Sequence, residues 1–220
     1  LRWDEPFGEA GMDIDLQIYN EAGELQESSD AQQDGDDDPY ESISIESDEE
    51  YVYMAIYDYA ASQGHSSAGV KAWLYGDWEL GEGWATYDET LTLPADAAGA
   101  LSVGAVEFWT GNIASYSSRG PTNDGRIKPD ISAPTGVTTV SYGETAFDGT
   151  SSAAPHATGV AALVMQAADL GYDVGELREW MIESTVDLGD VGPDNTYGAG
   201  HLIVDEPPPC ASVTVLPGTA

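Results

Sequence analysis

The chain has 220 residues, and 40 acidic side chains against six lysines and arginines give it a formal net charge of −34. Because phosphates would be repelled, we expect neither nucleic acid nor an anionic membrane surface as a partner. The hydrophobic content of 41% is enough to bury a core and excludes a disordered acidic tail. The single cysteine, Cys210, excludes an internal disulfide framework.

The acidic residues are concentrated in the first part of the chain. Residues 1–90 hold 24 acidic and two basic side chains, whereas residues 101–168 hold only five acidic ones. This difference predicts a small domain with an acidic outer face over residues 1–90, followed by a larger domain over residues 91–205. Residues 206–220 are predicted to be a proline-rich linker or the start of a further segment. The first three residues resemble the middle of a strand, so we expect a piece cut from a longer chain.

The N-terminal part alternates apolar and polar residues, as a strand with one buried face requires. The alternation occurs at residues 12–18, 42–46, 51–58 and 70–75. The apolar positions, predicted to face a core, are Met12, Ile14, Leu16, Ile18, Ile43, Ile45, Val52, Met54, Ile56, Val70, Ala72 and Leu74. Short alternating strands between Gly, Asp and Ser turns predict an antiparallel β-sandwich.

From about residue 91 the pattern changes to apolar runs with little alternation. Residues 101–106 and 137–140 are such runs, which are typical of strands covered on both faces. An alanine-rich helix is predicted over residues 152–168, within a stretch of twenty residues that carries no charged side chain. We expect this helix to be buried all round. A membrane span is not favoured, because serine, proline, histidine, threonine and glycine interrupt its apolar side chains.

A second helix is predicted to begin near Asp173. Glu176 lies three residues further on, and the pair is typical of a capping box. Val174, Leu177 and Met181 then form the apolar stripe of this helix. The strands and helices together predict an α/β fold for the C-terminal half.

The first predicted helix opens with the string GTSSAAPHATG at residues 149–159. The string resembles the nucleophile motif of subtilisin-like serine proteases, the subtilase family. Four further segments resemble subtilase segments in the same order, namely SVGAV (102–106), ASYSSRGP (114–121), KPDISAP (128–134) and GPDNTYGAGHL (192–202). The resemblance covers about residues 91–204. It implies the C-terminal part of a subtilisin-like parallel-sheet fold, and an extracellular or cell-surface endopeptidase that cleaves protein or peptide substrates.

The resemblance makes Ser151 the nucleophile that forms an acyl-enzyme. A serine hydroxyl is a weak nucleophile and needs a base within hydrogen-bond reach. At a helix N-terminus, Ser151 also exposes its own backbone N–H, and the helix dipole stabilises a developing oxyanion there. Gly149 and Thr150 are predicted to contact substrate, with Gly149 leaving room for the substrate backbone. Without the flanking segments, an ordinary N-cap role would remain the alternative for Ser151.

The other catalytic residues of the family do not have matching motifs in residues 1–150. Subtilases carry them in the order Asp, His, Ser, and an asparagine segment completes the oxyanion hole. The resemblance therefore places the catalytic Asp, His and Asn before Leu1. Asn112 is not that asparagine, because it follows the SVGAV segment that the family's asparagine should precede.

Three histidines are present, and none is predicted to be the catalytic base. His65 lies in a Ser/Gly-rich loop whose sequence only faintly resembles a catalytic histidine segment. His156 follows Ser151 by five residues, which places it about 140° further round a helix. The sequence assigns no role to His201.

Residues 13–19 resemble a strand of the jelly-roll domains found beside secreted peptidases, often called pre-peptidase C-terminal-like. This resemblance implies a jelly-roll-like domain inserted into the catalytic domain, with a role in substrate or surface binding. The aspartate run at 34–38 suggests structural calcium, with a solvated acidic loop as the alternative. Asp130 lies where some subtilases hold a weak cation. The peptidase chemistry itself requires no cofactor.

Two questions stay open at the level of sequence. An acidic, lysine-poor surface is typical of proteins that work in concentrated salt, although an acidic protein from an ordinary environment remains the alternative. The chain could also be a non-catalytic binding module with a degenerate protease half. The intact GTS motif favours the enzyme.

Overall fold

The computed structural model describes residues 1–59, 69–74, 81, 83, 86–168 and 171–204. The chain divides into two compact units, Leu1–Leu80 and Gly81–Ala220, which we call unit 1 and unit 2. This division falls before the boundary that the charge distribution predicts at residue 90. His65, Cys210 and the predicted linker at 206–220 lie outside the described residues. Among the described helices, none has both the length and the apolar character that a bilayer span needs.

The described residues of unit 1 form two small antiparallel sheets. Its strands are β1 (Arg2–Trp3), β2 (Ile14–Tyr19), β3 (Leu25–Ser29), β4 (Tyr53–Asp58) and β5 (Val70–Lys71). Strand β2 lies between β3 and β4 in one sheet, and β1 pairs with β5 in the other. The predicted strand at 42–46 does not form, and the one at 70–75 is reduced to Val70–Lys71. A jelly-roll-like β-sandwich stays a prediction, since two small sheets do not establish one.

The core of unit 1 lies over β2. It consists of Leu1, Trp3, Ala10, Met12, Ile14 and Leu16, with Ile43 packed against it. The buried face predicted for residues 12–18 is therefore confirmed. The face predicted for β4 is wrong, because Met54 and Ile56 are 40% and 42% exposed. Strand β4 is at the edge of its sheet and contributes nothing to this core, so its alternation does not translate into burial.

Unit 2 is built on a four-stranded sheet and two helices. Its strands are β6 (Val103–Glu107), β7 (Ile131–Thr135), β8 (Val137–Thr139), β9 (Gly143–Phe147), β10 (Thr185–Val186) and β11 (His201–Leu202), and its helices are α1 (Thr150–Ala167) and α2 (Val174–Glu183). The sheet order is β10-β11-β7-β6, with β6 and β11 parallel to β7 and β10 antiparallel to β11. Strands β8 and β9 form a separate antiparallel pair.

Helix α1 packs on β6 and β7 through very small side chains. Ala105 of β6, Ala133 of β7 and Ala153 of α1 form one buried cluster with Ala114. A second cluster joins Ile131, Ala157, Met181 and Leu202. Alanine against alanine lets the helix backbone approach the sheet closely, so the first turn of α1 is held against the carboxyl ends of two parallel strands.

Three predictions of burial in unit 2 are wrong. Helix α1 is buried on one face only, at Ser152, Ala153, Ala157 and Val164, while Leu163 on another face is 65% exposed. Residues 137–140 are not covered on both faces, because β8 pairs with β9 alone among the described strands and Val140 is fully exposed. Val174 is 82% exposed, although Met181 of the same predicted stripe is buried. The absence of charged side chains from a helix therefore does not require that every face of the helix be buried.

Candidate active site

The backbone before Ser151 has a conformation that favours glycine. Gly149 is the N-cap of α1, with φ of +100° and ψ of 164°. Residues other than glycine adopt this region only under strain. The carbonyl of Gly149 accepts the amides of Ser152 at 2.9 Å and Ala153 at 3.4 Å, and so begins the helix. Ser151 follows in the first turn and is exposed. Its contact with substrate, and that of Gly149 and Thr150, stay predictions.

Pro155 changes the hydrogen bonding of Ser151. The helix begins at Thr150, two residues before the predicted start, so Pro155 lies in its second turn rather than its first. Proline has no N–H to donate to the carbonyl four residues earlier, which is that of Ser151. The neighbouring Ser152 is fully buried and donates its hydroxyl to the carbonyl of Pro134 in β7 at 3.5 Å. The helix is thus anchored through Ser152 while Ser151 is exposed.

Neither of the two described histidines is placed to act as a base for Ser151. Nδ1 of His156 donates to the carbonyl of Ser152 at 2.7 Å, which holds the ring along its own helix. His201 lies in β11, and burial lowers the pKa of its imidazole. Among the described hydrogen bonds, neither ring reaches Ser151. Asn112 is exposed in the segment after β6, and its position supports no role in an oxyanion hole.

The four segments that flank the serine motif meet in unit 2. The amide of Gly120 donates to the carbonyls of Lys128 at 2.8 Å and Asn195 at 3.0 Å. The amide of Ser132 donates to the carbonyl of Gly200 at 2.8 Å, a direct bond between KPDISAP and GPDNTYGAGHL. The amide of Ala114 donates to the carbonyl of Ala105 at 2.8 Å, which joins ASYSSRGP to SVGAV. Strings that are separate in the sequence therefore form one hydrogen-bonded scaffold.

Glycines allow these segments to approach so closely. A Cβ atom at Gly120 would lie 2.5 Å from the carbonyl oxygen of Lys128. At Gly198, where φ is +68°, it would lie 2.5 Å from backbone atoms of Asp130. A larger residue at either position would push the segments apart.

Asp130 lies inside an ion-pair network in this scaffold. Lys128 Nζ contacts Asp130 Oδ2 at 2.6 Å, and Arg178 donates to Oδ1. Ser102 donates both its amide and its hydroxyl to Oδ2. The side chains of Lys128 and Asp130 are only 2% and 7% exposed. Since both carboxylate oxygens already accept these donors, the site does not favour a bound cation at Asp130.

The acidic loop of unit 1 brings three carboxylates together. Oxygens of Asp34, Asp36 and Asp37 lie within 4.8 Å of one another. A hydrogen bond with Asp36 and the charges of Asp36 and Asp37 raise the pKa of Asp34. Structural calcium at this loop stays a prediction, with a solvated acidic loop as its alternative.

Two hydroxyl residues beside Gly149 were not found from the sequence. The amide of Gly149 donates to Tyr116 Oη at 3.1 Å, and Thr135 Oγ1 donates to the carbonyl of Gly149 at 3.2 Å. Tyr116 Oη and Thr135 Oγ1 are 2.9 Å apart. Tyr116 lies in the ASYSSRGP segment and Thr135 ends β7, so no local sequence signal connects either of them to residue 149.

Two exposed aromatic residues follow β6, and one of them lies beside the turn that leads into α1. Phe108 and Trp109 follow β6 and are 70% and 57% exposed. The Trp109 ring lies against Gly136, where a Cβ atom would come within 2.4 Å of it. Asp148, which precedes Gly149, also borders Gly136. An apolar surface therefore lies close to the turn that leads into α1.

Comparison with known proteins identifies one family. A family model described as the subtilase family matches residues 81–200. The minor extracellular protease Vpr of Bacillus subtilis is 40% identical over 103 residues, which cover 40% of this chain and 12% of Vpr. The serine protease AprX of the same organism is 34% identical over 139 residues, which cover 52% of this chain and 30% of AprX.

Two further matches have the same character. Bacillopeptidase F of Bacillus subtilis is 34% identical over 116 residues, or 49% of this chain and 8% of that protein. Among solved structures, the CspB protease of Clostridium perfringens has a TM-score of 0.52 and 17% identity, over 88% of this chain and 48% of CspB. At this identity the match shows similarity of fold alone. The matched regions cover less than a third of each of the three Bacillus relatives.

Proposed function

Since the chain belongs to the subtilase family through residues 81–200, we propose that it is part of a serine endopeptidase of the subtilisin type. Ser151 is the nucleophile, and its exposed position in the first turn of α1, directly after Gly149, is the observation that carries the proposal. Gly149 and Thr150 contact the substrate backbone. The catalytic Asp and His and the oxyanion Asn come from a part of the protein outside these 220 residues.

The proposed reaction follows from the position of Ser151. Its hydroxyl oxygen attacks the carbonyl carbon of a peptide bond while the histidine base takes the hydroxyl proton. The negative charge that develops on the carbonyl oxygen is stabilised by the first-turn amide of Ser151 and the helix dipole. The protonated histidine then gives its proton to the leaving amine, which leaves an acyl-enzyme on Ser151. Water, activated by the same base, releases the second product.

Substrates and location are proposed from the same family membership. The substrates are proteins or peptides, and the exposed Phe108 and Trp109 offer them an apolar surface close to the nucleophile turn. The protein acts outside the cell, as the name of its relative Vpr states for that protease. Unit 1 is proposed to assist substrate or surface binding. The net charge of −34 supports activity in concentrated salt.

The test uses the full-length protein with a fluorophosphonate probe and a peptide substrate. We expect the probe to label Ser151, and Ser151→Ala to lower kcat by on the order of 10⁶. Ser141→Ala is the matched control, because Ser141 is an exposed serine outside the motif and should leave both readouts unchanged. Labelling and turnover that survive Ser151→Ala would refute the assignment of Ser151, whereas a wild-type protein that shows neither would favour the binding-module alternative.

A second arm uses residues 1–220 alone. Without the missing Asp and His, Ser151 has no base, so we expect no labelling and no hydrolysis. Labelling of Ser151 in this piece would show that a base lies within the chain.

A further inference from the structure

A closed ring of hydrogen bonds surrounds the backbone of Gly149. The carbonyl of Gly149 can only accept, so the one hydroxyl proton of Thr135 is used in the bond to it. Thr135 Oγ1 must then accept from the hydroxyl of Tyr116. Tyr116 Oη in turn accepts the amide proton of Gly149. Each hydrogen is used once, and the three bonds have one direction round the ring.

Such a ring fixes Gly149 on both sides. Its amide and its carbonyl are each bonded to a side chain of a different segment, and bonds in a chain of this kind polarise and strengthen one another. The N-cap of α1 has no side-chain hydrogen bond of its own. Tyr116 and Thr135 therefore do from a distance what a capping side chain does locally. They hold Gly149 at its φ of +100°, whereas glycine alone could adopt other backbone conformations.

The nucleophile follows Gly149 by two residues, so the torsion angles of Gly149 set the direction in which Ser151 leaves the first turn. We propose that Tyr116 and Thr135 are positioning residues, which fix the turn before Ser151 so that its hydroxyl and amide face the scissile carbonyl. This inference rests on the proposed function of Ser151. The reaction tolerates little misplacement, since an error of about 1 Å in a reacting group costs on the order of 10²-fold in rate.

The partial exposure of Tyr116 allows its positioning role to be tested separately from a role in the stability of the fold. Thr135 is buried, whereas the Tyr116 ring is 50% exposed, so much of its apolar surface is not part of the core. Gly149 is itself partly exposed, and water can replace a lost phenol hydroxyl at its amide. Removal of the Tyr116 hydroxyl should therefore loosen the turn while leaving the fold stable.

The test is Tyr116→Phe in the full-length protein. We expect kcat to fall about 10- to 100-fold with KM within about twofold of the wild type. The rate constant for fluorophosphonate labelling of Ser151 should fall by a similar factor. The unfolding midpoint should change by less than about 3 °C. Tyr172→Phe is the matched control, because Tyr172 precedes α2 and lies outside the ring.

Thr135 supplies the second half of the experiment. Thr135→Val has nearly the same volume but no hydroxyl, and should reproduce the loss in kcat, while Thr135→Ser keeps the hydroxyl and should restore most of it. The double variant Tyr116→Phe/Thr135→Val should be little worse than either single variant, because one ring is broken in each case.

The outcomes separate this inference from the proposed function. Failure of the wild-type protein to label at Ser151 would refute the proposed function. Normal wild-type labelling, with kcat of Tyr116→Phe within twofold of the wild type, would refute the positioning role alone. The positioning role would also be refuted if the unfolding midpoint of Tyr116→Phe fell far enough to explain its lost rate. If Tyr116→Phe does not fold, full kcat in Thr135→Val would refute the role instead.

Discussion

The two units of this chain bury their residues in different ways. Unit 1 has a core of large side chains, such as Trp3, Ile14 and Leu16, and its sequence holds 21 acidic residues against two basic ones. Unit 2 has one cluster with Ile131, Met181 and Leu202, but helix α1 meets the sheet, and the segments meet one another, at alanines and glycines that let backbones touch. Its largest fully buried side chain among the described residues is a lysine, Lys128.

The difference shows what each unit must do. A core of large side chains tolerates movement of the surrounding backbone, because its free energy scales with buried apolar area. Close backbone packing and a buried ion network depend on exact geometry. Unit 2, which carries Ser151, is the unit with close backbone packing and a buried ion network. This construction suits a site where a turn must be placed accurately.

The largest effect is expected from the ion network of unit 2. Lys128→Met leaves Asp130 buried with Arg178 and Ser102 but without one of its two cations, and should lower the free energy of unfolding by about 3–5 kcal/mol. Urea denaturation of the full-length protein measures the loss, and hydrogen exchange at β6 and β7 localises it.

The control for this prediction is an exposed ion pair in the same unit. Arg126 contacts Asp124 at 2.8 Å, with the two side chains 38% and 64% exposed. The bond from Arg126 helps to lower the pKa of Asp124 to about 2. Arg126→Met should cost far less than Lys128→Met, because water screens such a pair. Equal losses in the two variants would mean that burial does not strengthen the Lys128–Asp130 pair, and would contradict the description of unit 2 as dependent on a buried ion network.

A loss equal to that of Lys128→Met or smaller is expected from the core of unit 1. Leu16→Ala removes a side chain that is 6% exposed in β2 and should cost about 2–5 kcal/mol. Amide protection in β2 and β4 should fall, while that in β6 and β7 stays the same. Leu25→Ala, at a 52% exposed position of β3, should change stability by about 0.5 kcal/mol or less. Loss of protection in both units would mean that they do not unfold separately.

The smallest effect is expected from salt, and it should be larger in unit 1. Burial and the charges of Asp13, Asp30 and Glu41 raise the pKa of Asp15, which shows that carboxylates oppose one another there. Between 0.1 M and 1 M salt the Debye length falls from about 10 Å to about 3 Å, so this repulsion is screened. Each kcal/mol gained should raise the unfolding midpoint by about 2–4 °C. A midpoint that stays level or falls would remove the proposal of activity in concentrated salt.

Local sequence rules predicted the parts of the fold that depend on neighbouring residues. Asp173 and Glu176 form the capping box of α2 as expected, with both of its hydrogen bonds at 2.9 Å. Helix α1 and the alternation in β2 were also predicted correctly. Strand β7 was not predicted as a strand, because its segment carries Pro134 and few branched residues; its pairing with β6 and β11 determines it.

Long-range features could not be predicted from the sequence. The exposure of Met54, Leu163 and Val174 depends on which surfaces lie opposite them, and hydropathy does not contain that information. Ser151 was identified through a motif, which is a local string. Tyr116 and Thr135 meet Gly149 only after β6, β7 and α1 have assembled, so their role could be found only in the folded unit.

The buried position of Lys128 has a consequence for chemical labelling. The chain has only two lysines, Lys71 in unit 1 and Lys128 in unit 2. Nζ of Lys128 is bonded to the carbonyl of Ala100 at 2.8 Å and to Asp130, so an acylating reagent cannot reach it in the folded state. Acylation of Lys128 therefore reports opening of the unit that carries Ser151. Acylation of Lys71 in the same sample gives an independent signal from unit 1.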